Sequence, residues 1–358
     1  MHRGERRNGV PGIALDGMTA CCEPLPVLPF RTLLVVALFL ALRPSPTVAE
    51  TRTDSTVLAL RQEARALAPH VRTPLARALL AATAALPPPP TRTVYFDSSR
   101  AACYTESEAQ ALSDSARSRL ARRVLDGRYY YRGRYGSPLN YVRAIEVAGQ
   151  AGLESLEGKR VLDFGYGRAG HLRLLASMGA DVVGIDVDPI LRALYAEPGD
   201  QGPVPGFKGR GGTLRLLDGS FPADSSIWAA VGGDYDLILS KNTLKGGHEL
   251  SQRIRETGIV NLGVMDPVFV REIYARLKPG GWFLIYVLSS PQGNGGCPFP
   301  EPMLRAEGFE VLAYDADDSP GAHAMRRAQS HLWDPAAVDS GPTLIGTYTL
   351  ARRPAHSR

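Results

Sequence analysis

Cysteine is scarce in this chain of 358 residues: there are four, at positions 21, 22, 103 and 297, with no Cys-x-x-Cys pair and no histidine beside them at ligand spacing. A structural zinc site is therefore not expected, nor is any other metal site. Whether Cys103 and Cys297 pair stays open, because separation along a chain does not give separation in space. Long apolar runs are missing too. The stretch Leu33 to Leu42 has ten residues, against about 20 for a helix that crosses a bilayer. Positive charge exceeds negative by 5, yet much of the arginine lies near the N-terminus and in the segment after it rather than in one compact patch. That spread argues against a nucleic-acid partner. No Ser-His-Asp order and no paired acidic nucleophile stands out. What remains is 44% hydrophobic and 22% charged, enough for a globular protein with a sizeable core.

The first 49 residues read as a signal-peptide-like leader. Arg3, Arg6, Arg7 and Arg31 precede the apolar run, and Thr47-Val48-Ala49 offers a cleavage site before Glu50. Export or membrane anchoring follows if this leader is used, and a start at Met18 would leave it a shorter, more ordinary n-region; if the leader is only a misassigned start, the protein is cytoplasmic. Residues 50–128 are rich in alanine and arginine and repeat leucine at helical spacing (Leu75, Leu79, Leu80, Leu86), broken by Pro87 to Pro90. They are expected to be a helical N-terminal extension. The aromatic run Tyr129-Tyr130-Tyr131, with Tyr135, opens the main domain, residues 129–358. Its rings either pack internally or line the mouth of a site.

The most informative stretch is Arg160 to Pro189, RVLDFGYGRAGHLRLLASMGADVVGIDVDP. A short apolar run ends in Asp163, and Gly165, Gly167 and Gly170 follow at once. This is how a buried strand hands the chain to a helix where a ligand must come close. Leu172, Leu175 and Met178 recur at helical spacing up to Gly179, and Val182 to Ile185 then closes on Asp186. His171 reads as a residue of that helix. Strand-like runs continue at Thr213 to Leu217, Tyr235 to Leu239 and Trp282 to Leu288, with a helix from about Pro267 to Leu277 before Lys278-Pro279-Gly280-Gly281. Such alternation predicts a Rossmann-like α/β fold, an open, mostly parallel sheet with helices on both faces. The tail shows a helix near Met303 to Ala306 and two strands, Phe309 to Tyr314 and Thr343 to Leu350, without a helical pattern between them. They predict an antiparallel pair at the sheet edge, with an antiparallel final strand.

In such a sheet, ligands bind over the carboxyl ends of the strands. The residues there are Asp163 with Gly165 and Gly167, then Asp186, then Asp218 with Gly219, then Ser240 with Lys241. Several carboxylates around one glycine turn suit a ligand with hydroxyl and amino groups better than a bare polyphosphate. Asp186 lies at the spacing from the turn at which an acid holds ribose hydroxyls, and Asp188, before Pro189, reads equally as a helix cap. Gly165, Gly167 and Gly170 also satisfy Gly-x-Gly-x-x-Gly, so an NAD(P)-dependent oxidoreductase is the first alternative. A cofactor-binding protein without catalysis is the second.

Taken in order, VLDFGYGRAG, GIDVDP, LLDGSF at Leu216 to Phe221, DLILS at Asp236 to Ser240, LKPGGWFLIY at Leu277 to Tyr286, and the tail segments MLRAEGFEVLAY and TLIGTYTLARR resemble a class I S-adenosylmethionine-dependent methyltransferase. The resemblance runs from Tyr129 to Arg352. One departure is Ala169 where the family has its third glycine, with Gly170 next. The resemblance implies S-adenosyl-L-methionine as cofactor. Asp163, Gly165 and Gly167, with Tyr166 between the glycines, would cradle its methionine part; Asp186 would bind the ribose, Val187 the adenine face, Asp218 the adenine amino group; and Gly219 would admit the ring to the backbone. Ser240 would border the same crevice. The reaction implied is methyl transfer by in-line displacement to an O, N, S or C nucleophile, for which the protein chiefly aligns the reactants. The acceptor should lie over Lys241 to Gly263, where Lys241, Asn242, His248 and Glu249 are polar. Lys241 and His248 are the candidates for a catalytic base. A small-molecule acceptor is favoured, and a membrane is met only through an uncleaved leader.

Overall fold

The computed structural model describes residues 55–132, 136–245, 266–289, 295–333 and 345–355. The leader, His248 and Glu249 lie outside the described residues. The extension begins as the leucine spacing predicts. In helix α1 (Ser55–Leu67), Val57, Leu60, Ala64 and Leu67 form one buried stripe. Helix α2 (Pro74–Ala82) starts with Thr73, whose side chain accepts the Ala76 amide, and with Pro74 in its first turn.

Past the prolines the expectation of helix fails. Residues 92–125 build a three-stranded antiparallel sheet of β1 (Arg92–Asp97), β2 (Ala102–Tyr104) and β3 (Ala121–Leu125), in the order β2-β1-β3. Thr93 to Phe96 are strand formers. Arg122 and Arg123 belong to β3, an edge strand in which only Leu125 is buried. Two short helices, α3 (Glu106–Gln110) and α4 (Asp114–Arg117), join β2 to β3. Helix α5 (Gly127–Tyr131) follows, and α6 (Val142–Gln150) leads into the main sheet.

That sheet has eight strands. In chain order the elements are β4 (Arg160–Phe164), α7 (Gly170–Ser177), β5 (Asp181–Asp186), α8 (Pro189–Leu194), β6 (Gly202–Val204), β7 (Gly212–Asp218), α9 (Trp228–Val231), β8 (Tyr235–Lys241), α10 (Asp266–Arg276), β9 (Leu277–Ser289), α11 (Glu301–Glu307), β10 (Glu310–Asp317), α12 (Ser319–Trp333) and β11 (Ile345–Arg352). The spatial order is β10-β11-β9-β8-β4-β5-β7-β6. Strands β7, β5, β4, β8 and β9 are mutually parallel, and β11 runs antiparallel between β9 and β10. The order reverses between β4 and β8, which places the ligand crevice over their carboxyl ends. Short β6, antiparallel to β7 at the far edge, carries no apolar run and was not foreseen.

Neighbouring residues of one strand point to opposite layers. Val161 and Val182 join the core under α6, α7 and α8, whereas Leu162, Val183 and Ile238 pack with Phe269 and Ile273 of α10. The first of these cores runs from Val57 in the extension to Leu350 near the end of the chain, so extension and main domain bury one shared interior. Buried polar ties reinforce it. Glu63 of α1 accepts from Ser137 Oγ at 2.6 Å and Gln329 Nε2 at 2.8 Å. Glu146 of α6 accepts from Thr73 Oγ1 at 2.7 Å and from the Arg72 and Thr73 amides.

The tail departs from its expectation in one respect: the 15-residue helix α12 stands between β10 and β11. Among its described side chains the buried ones are Ala322, Met325 and Gln329, helical in spacing but without the large aliphatic residues that mark a helix in sequence. Cys103 and Cys297 are both free. Among the described residues no helix is long and apolar enough to cross a membrane.

Candidate active site

Asp163, near the end of β4, is fully buried. Its Oδ2 accepts a hydrogen bond from His171 Nε2 at 2.5 Å, while Oδ1 is buried without a hydrogen-bond partner. His171 stands in the first turn of α7 and lies flat on Tyr141, with ring centroids 3.5 Å apart and planes 8° from parallel. Burial, and next the Asp163 carboxyl, push the Tyr141 phenol well above its ordinary pKa. Lys241, the last residue of β8, is buried with its Nζ 5.5 Å from the Tyr141 ring centroid. Four ionisable side chains from β4, β8, α7 and the approach to α6 thus meet beside the glycine turn.

Asp186, ending β5, is fixed by backbone amides. Oδ2 accepts from Gly167 at 2.8 Å, and Oδ1 accepts from Val187 at 2.8 Å and Asp188 at 3.0 Å. Burial raises the Asp186 pKa, and the Gly167 amide is the strongest influence pulling it back. The carboxylate is therefore oriented before any ligand arrives. Asp218 pairs with Asp186 across β5 and β7, and the Gly219 amide donates to Asp186 O at 3.0 Å. Asp188 caps α8, accepting the Ile190 amide, as its place before Pro189 implies.

The two glycines of the turn have different reasons. Both have left-handed φ, +78° at Gly165 and +62° at Gly167. A Cβ on Gly165 would lie 2.1 Å from Thr243 Oγ1, whose hydroxyl donates to Gly165 O at 3.0 Å. A Cβ on Gly167 would meet nothing within 4 Å. Gly165 makes room for the loop after β8, and Gly167 leaves open space over the turn. The Ala169 amide donates to Tyr195 OH at 2.9 Å, so the substituted third glycine position is held from α8's end.

Two expected contacts are spent elsewhere. The Tyr166 ring is buried against Gly184 of β5, with its Cδ1 2.8 Å from where a Cβ would stand, which makes it a core residue. Ser240 is fully buried; its hydroxyl donates to Phe164 O at 2.9 Å, stitching β8 to β4. His171, Tyr141 and Thr243 were absent from the expected donor site. The available signal was weak: a histidine one residue into the helix after the turn, with no indication of which strand it would face.

These residues fit the donor the resemblance implies. The unpartnered Oδ1 of Asp163 can accept from an ammonium, Asp186 from ribose hydroxyls, and the space above Gly167 lets the ligand meet the backbone. In sequence, residues 140–304 match the model of a family described as a methyltransferase domain. This stretch is a methyltransferase domain. S-adenosylmethionine is its cofactor. No curated protein matches the chain in sequence. Among solved structures, the chain is similar to the [4+2]-cyclase SpnF, at 17% identity over 63% of this chain and 86% of that one, TM-score 0.37. It is also similar to a Haemonchus contortus phosphoethanolamine N-methyltransferase in complex with phosphomonomethylethanolamine and S-adenosylhomocysteine (13% identity, 66% and 62%, TM-score 0.36). A third is the cyclopropane synthase MmaA2 from Mycobacterium tuberculosis (16%, 62% and 88%, TM-score 0.35). Likeness this low says nothing about what the methyltransferase acts on.

Proposed function

We propose that the methyltransferase acts on a small acceptor presented over the ends of β8 and β9, with Asp163 and Asp186 holding the donor and Lys241 orienting the acceptor. The cofactor, when bound, supplies a methyl group on a positively charged sulfonium, so that no further activation of the carbon is needed. What the chain must add is alignment and a dry site. The observation that carries the donor part is the Asp186 carboxylate, held by three amides from the glycine turn and its own strand end. Asn242 and Lys245 support the acceptor part. Asn242 Oδ1 accepts the Leu288 amide at 2.7 Å and Lys245 Nζ donates to Leu288 O at 3.2 Å, which fixes the loop after β8 against β9. Lys241 sits at the root of that loop, able to pair with an anionic acceptor or take a proton from a neutral one.

Calorimetry of the protein with S-adenosylhomocysteine and with NAD tests the donor site. Binding of the first alone is expected; binding of NAD alone would return the oxidoreductase reading. Label from methyl-tritiated S-adenosylmethionine, followed into small-molecule, protein and RNA fractions, tests the acceptor class, and label confined to protein or RNA would overturn it. The arginines and apolar run of residues 1–49 support export, which a fusion of residues 1–60 to an export-dependent reporter tests; a silent reporter rejects it.

A further inference from the structure

The extension touches the donor crevice through two arginines. Arg168 lies inside the glycine turn, one residue after Gly167, and its guanidinium carbon stands 3.8 Å from the centroid of the Tyr129 ring. Arg192 belongs to α8, the helix that follows Asp186. It donates to both carboxylate oxygens of Glu108, at 2.7 Å and 3.3 Å, and to Cys103 O at 2.8 Å. Glu108 and Cys103 come from the extension, and Tyr129 from α5, which joins it to the main domain and is counted with it below; all three precede residue 140, where the family match begins.

The surrounding contacts repeat the pattern. Tyr131 Cε1 lies 3.2 Å from where a Cβ on Gly170 would stand, at the head of α7. Tyr130 meets Tyr195 edge to face at 6.0 Å, and Tyr195 holds the Ala169 amide. Both partners from the extension are themselves fixed. Asp126 caps α5, accepting the Arg128 and Tyr129 amides. Glu108 closes the capping box of α3 by accepting the Thr105 amide at 2.8 Å.

We infer that the N-terminal extension is a clamp on the donor site: Tyr129 holds the glycine turn through Arg168, Glu108 holds α8 through Arg192, and the cofactor leaves only when this clamp loosens. This rests on the donor site assigned above. The physical link is short. Arg168 adjoins Gly167, whose amide orients Asp186, so a turn freed from Tyr129 loses the arrangement that presents the ribose acid. On the other side, α8 begins at Pro189 just past Asp188, and Arg192 sets how that helix approaches the same carboxylate. A guanidinium stacked on a ring and a bidentate carboxylate pair are both directional contacts, suited to fixing position. Tyr129 and Glu108 are positioning residues, since neither is assigned a contact with the reacting atoms.

The test is calorimetry with S-adenosylhomocysteine, together with its dissociation rate by rapid dilution of labelled ligand and a melting curve for each variant. Tyr129→Ala should weaken binding about tenfold, mainly through faster dissociation, and Tyr129→Phe, which keeps the ring, should restore it. Glu108→Gln keeps the capping box but loses the charge pair and should weaken binding about threefold. Arg61→Ala, on α1, should leave binding unchanged. Wild-type affinity and dissociation in both Tyr129→Ala and Glu108→Gln would overturn the clamp, as would a Tyr129→Phe variant as weak as Tyr129→Ala. Should Tyr129→Ala fail to fold, Glu108→Gln decides. A wild-type protein that does not bind S-adenosylhomocysteine would overturn the donor site itself, a result distinct from failure of the clamp.

Discussion

At the end of β5 one carboxylate collects three backbone amides, whereas at the end of β8 three short polar side chains are given over to the backbone around them. Asp186 keeps lone pairs for a ligand after Gly167, Val187 and Asp188 are satisfied. Ser240, Asn242 and Thr243 bond to Phe164 O, the Leu288 amide and Gly165 O. The donor half is thus chemically committed by residues that any strand-end acid and glycine turn would announce. The half proposed for the acceptor is committed to holding its own loop, with Lys241 at the strand end itself.

If that division is real, Asp186→Ala and Lys241→Met should fail differently. Asp186→Ala orphans three amides, each costing about 1–3 kcal/mol when buried, and removes the ribose contact. Binding of S-adenosylhomocysteine should fall by a factor on the order of 100 or more, read by calorimetry. Lys241→Met should lower turnover about 100-fold with that affinity unchanged; equal damage to donor binding would erase the distinction between the halves. Gly165 sharpens the point because it belongs to the donor turn yet is shaped by Thr243. Gly165→Ala should destabilise the fold by about 2–4 kcal/mol, from overpacking and left-handed strain together, as a lowered denaturation midpoint. Thr243→Ser in that background should recover part of it. Gly167→Ala, with open space around it, should cost only about 1–2 kcal/mol of strain.

The smallest effect concerns acid. The hydrogen bond from Arg192 holds Glu108 down to about 2 from its ordinary 4.5. A lowered carboxyl pKa gives stability that is present above the unfolded value and lost as pH falls through the folded one. The attachment of α3 to α8 should therefore weaken between pH 4.5 and about 2. Both side chains are more than a third exposed, at 40% and 39%, and solvent screening limits the change to less than about 1 kcal/mol. Acid titration of stability, compared with Glu108→Gln, checks it: the variant should lack that component of the slope.

The five parallel strands were legible because each is an apolar run closed by an acid, a glycine or a serine. Asp186 was legible as the acid that closes β5 beside the glycine turn, where its carboxylate accepts the Gly167 amide. Strand β3 was hidden by its two arginines, which serve a helix surface and an exposed strand edge alike. Helix α12 was hidden because Ala322, Met325 and Gln329 bury little apolar bulk. Roles that depend on partners distant in sequence could not be read. His171 looked like a helix residue until Asp163 was seen beneath it, and Ser240 looked like a ligand contact until Phe164 O took its hydroxyl. Of the aromatic run, Tyr130 and Tyr131 pack internally, as one of its two readings had it, and the Tyr129 ring lies against Arg168 of the turn.

The bond between Glu63 and Gln329 has a consequence for how the chain is made. These residues are 266 apart, so the buried carboxylate of α1 finds that partner only after α12, much later in the chain, has been synthesised. Contacts of such long range close late, after the entropy of the intervening chain has been overcome. Helix α1 is therefore completed by a helix synthesised long after it, and its polar ties close last.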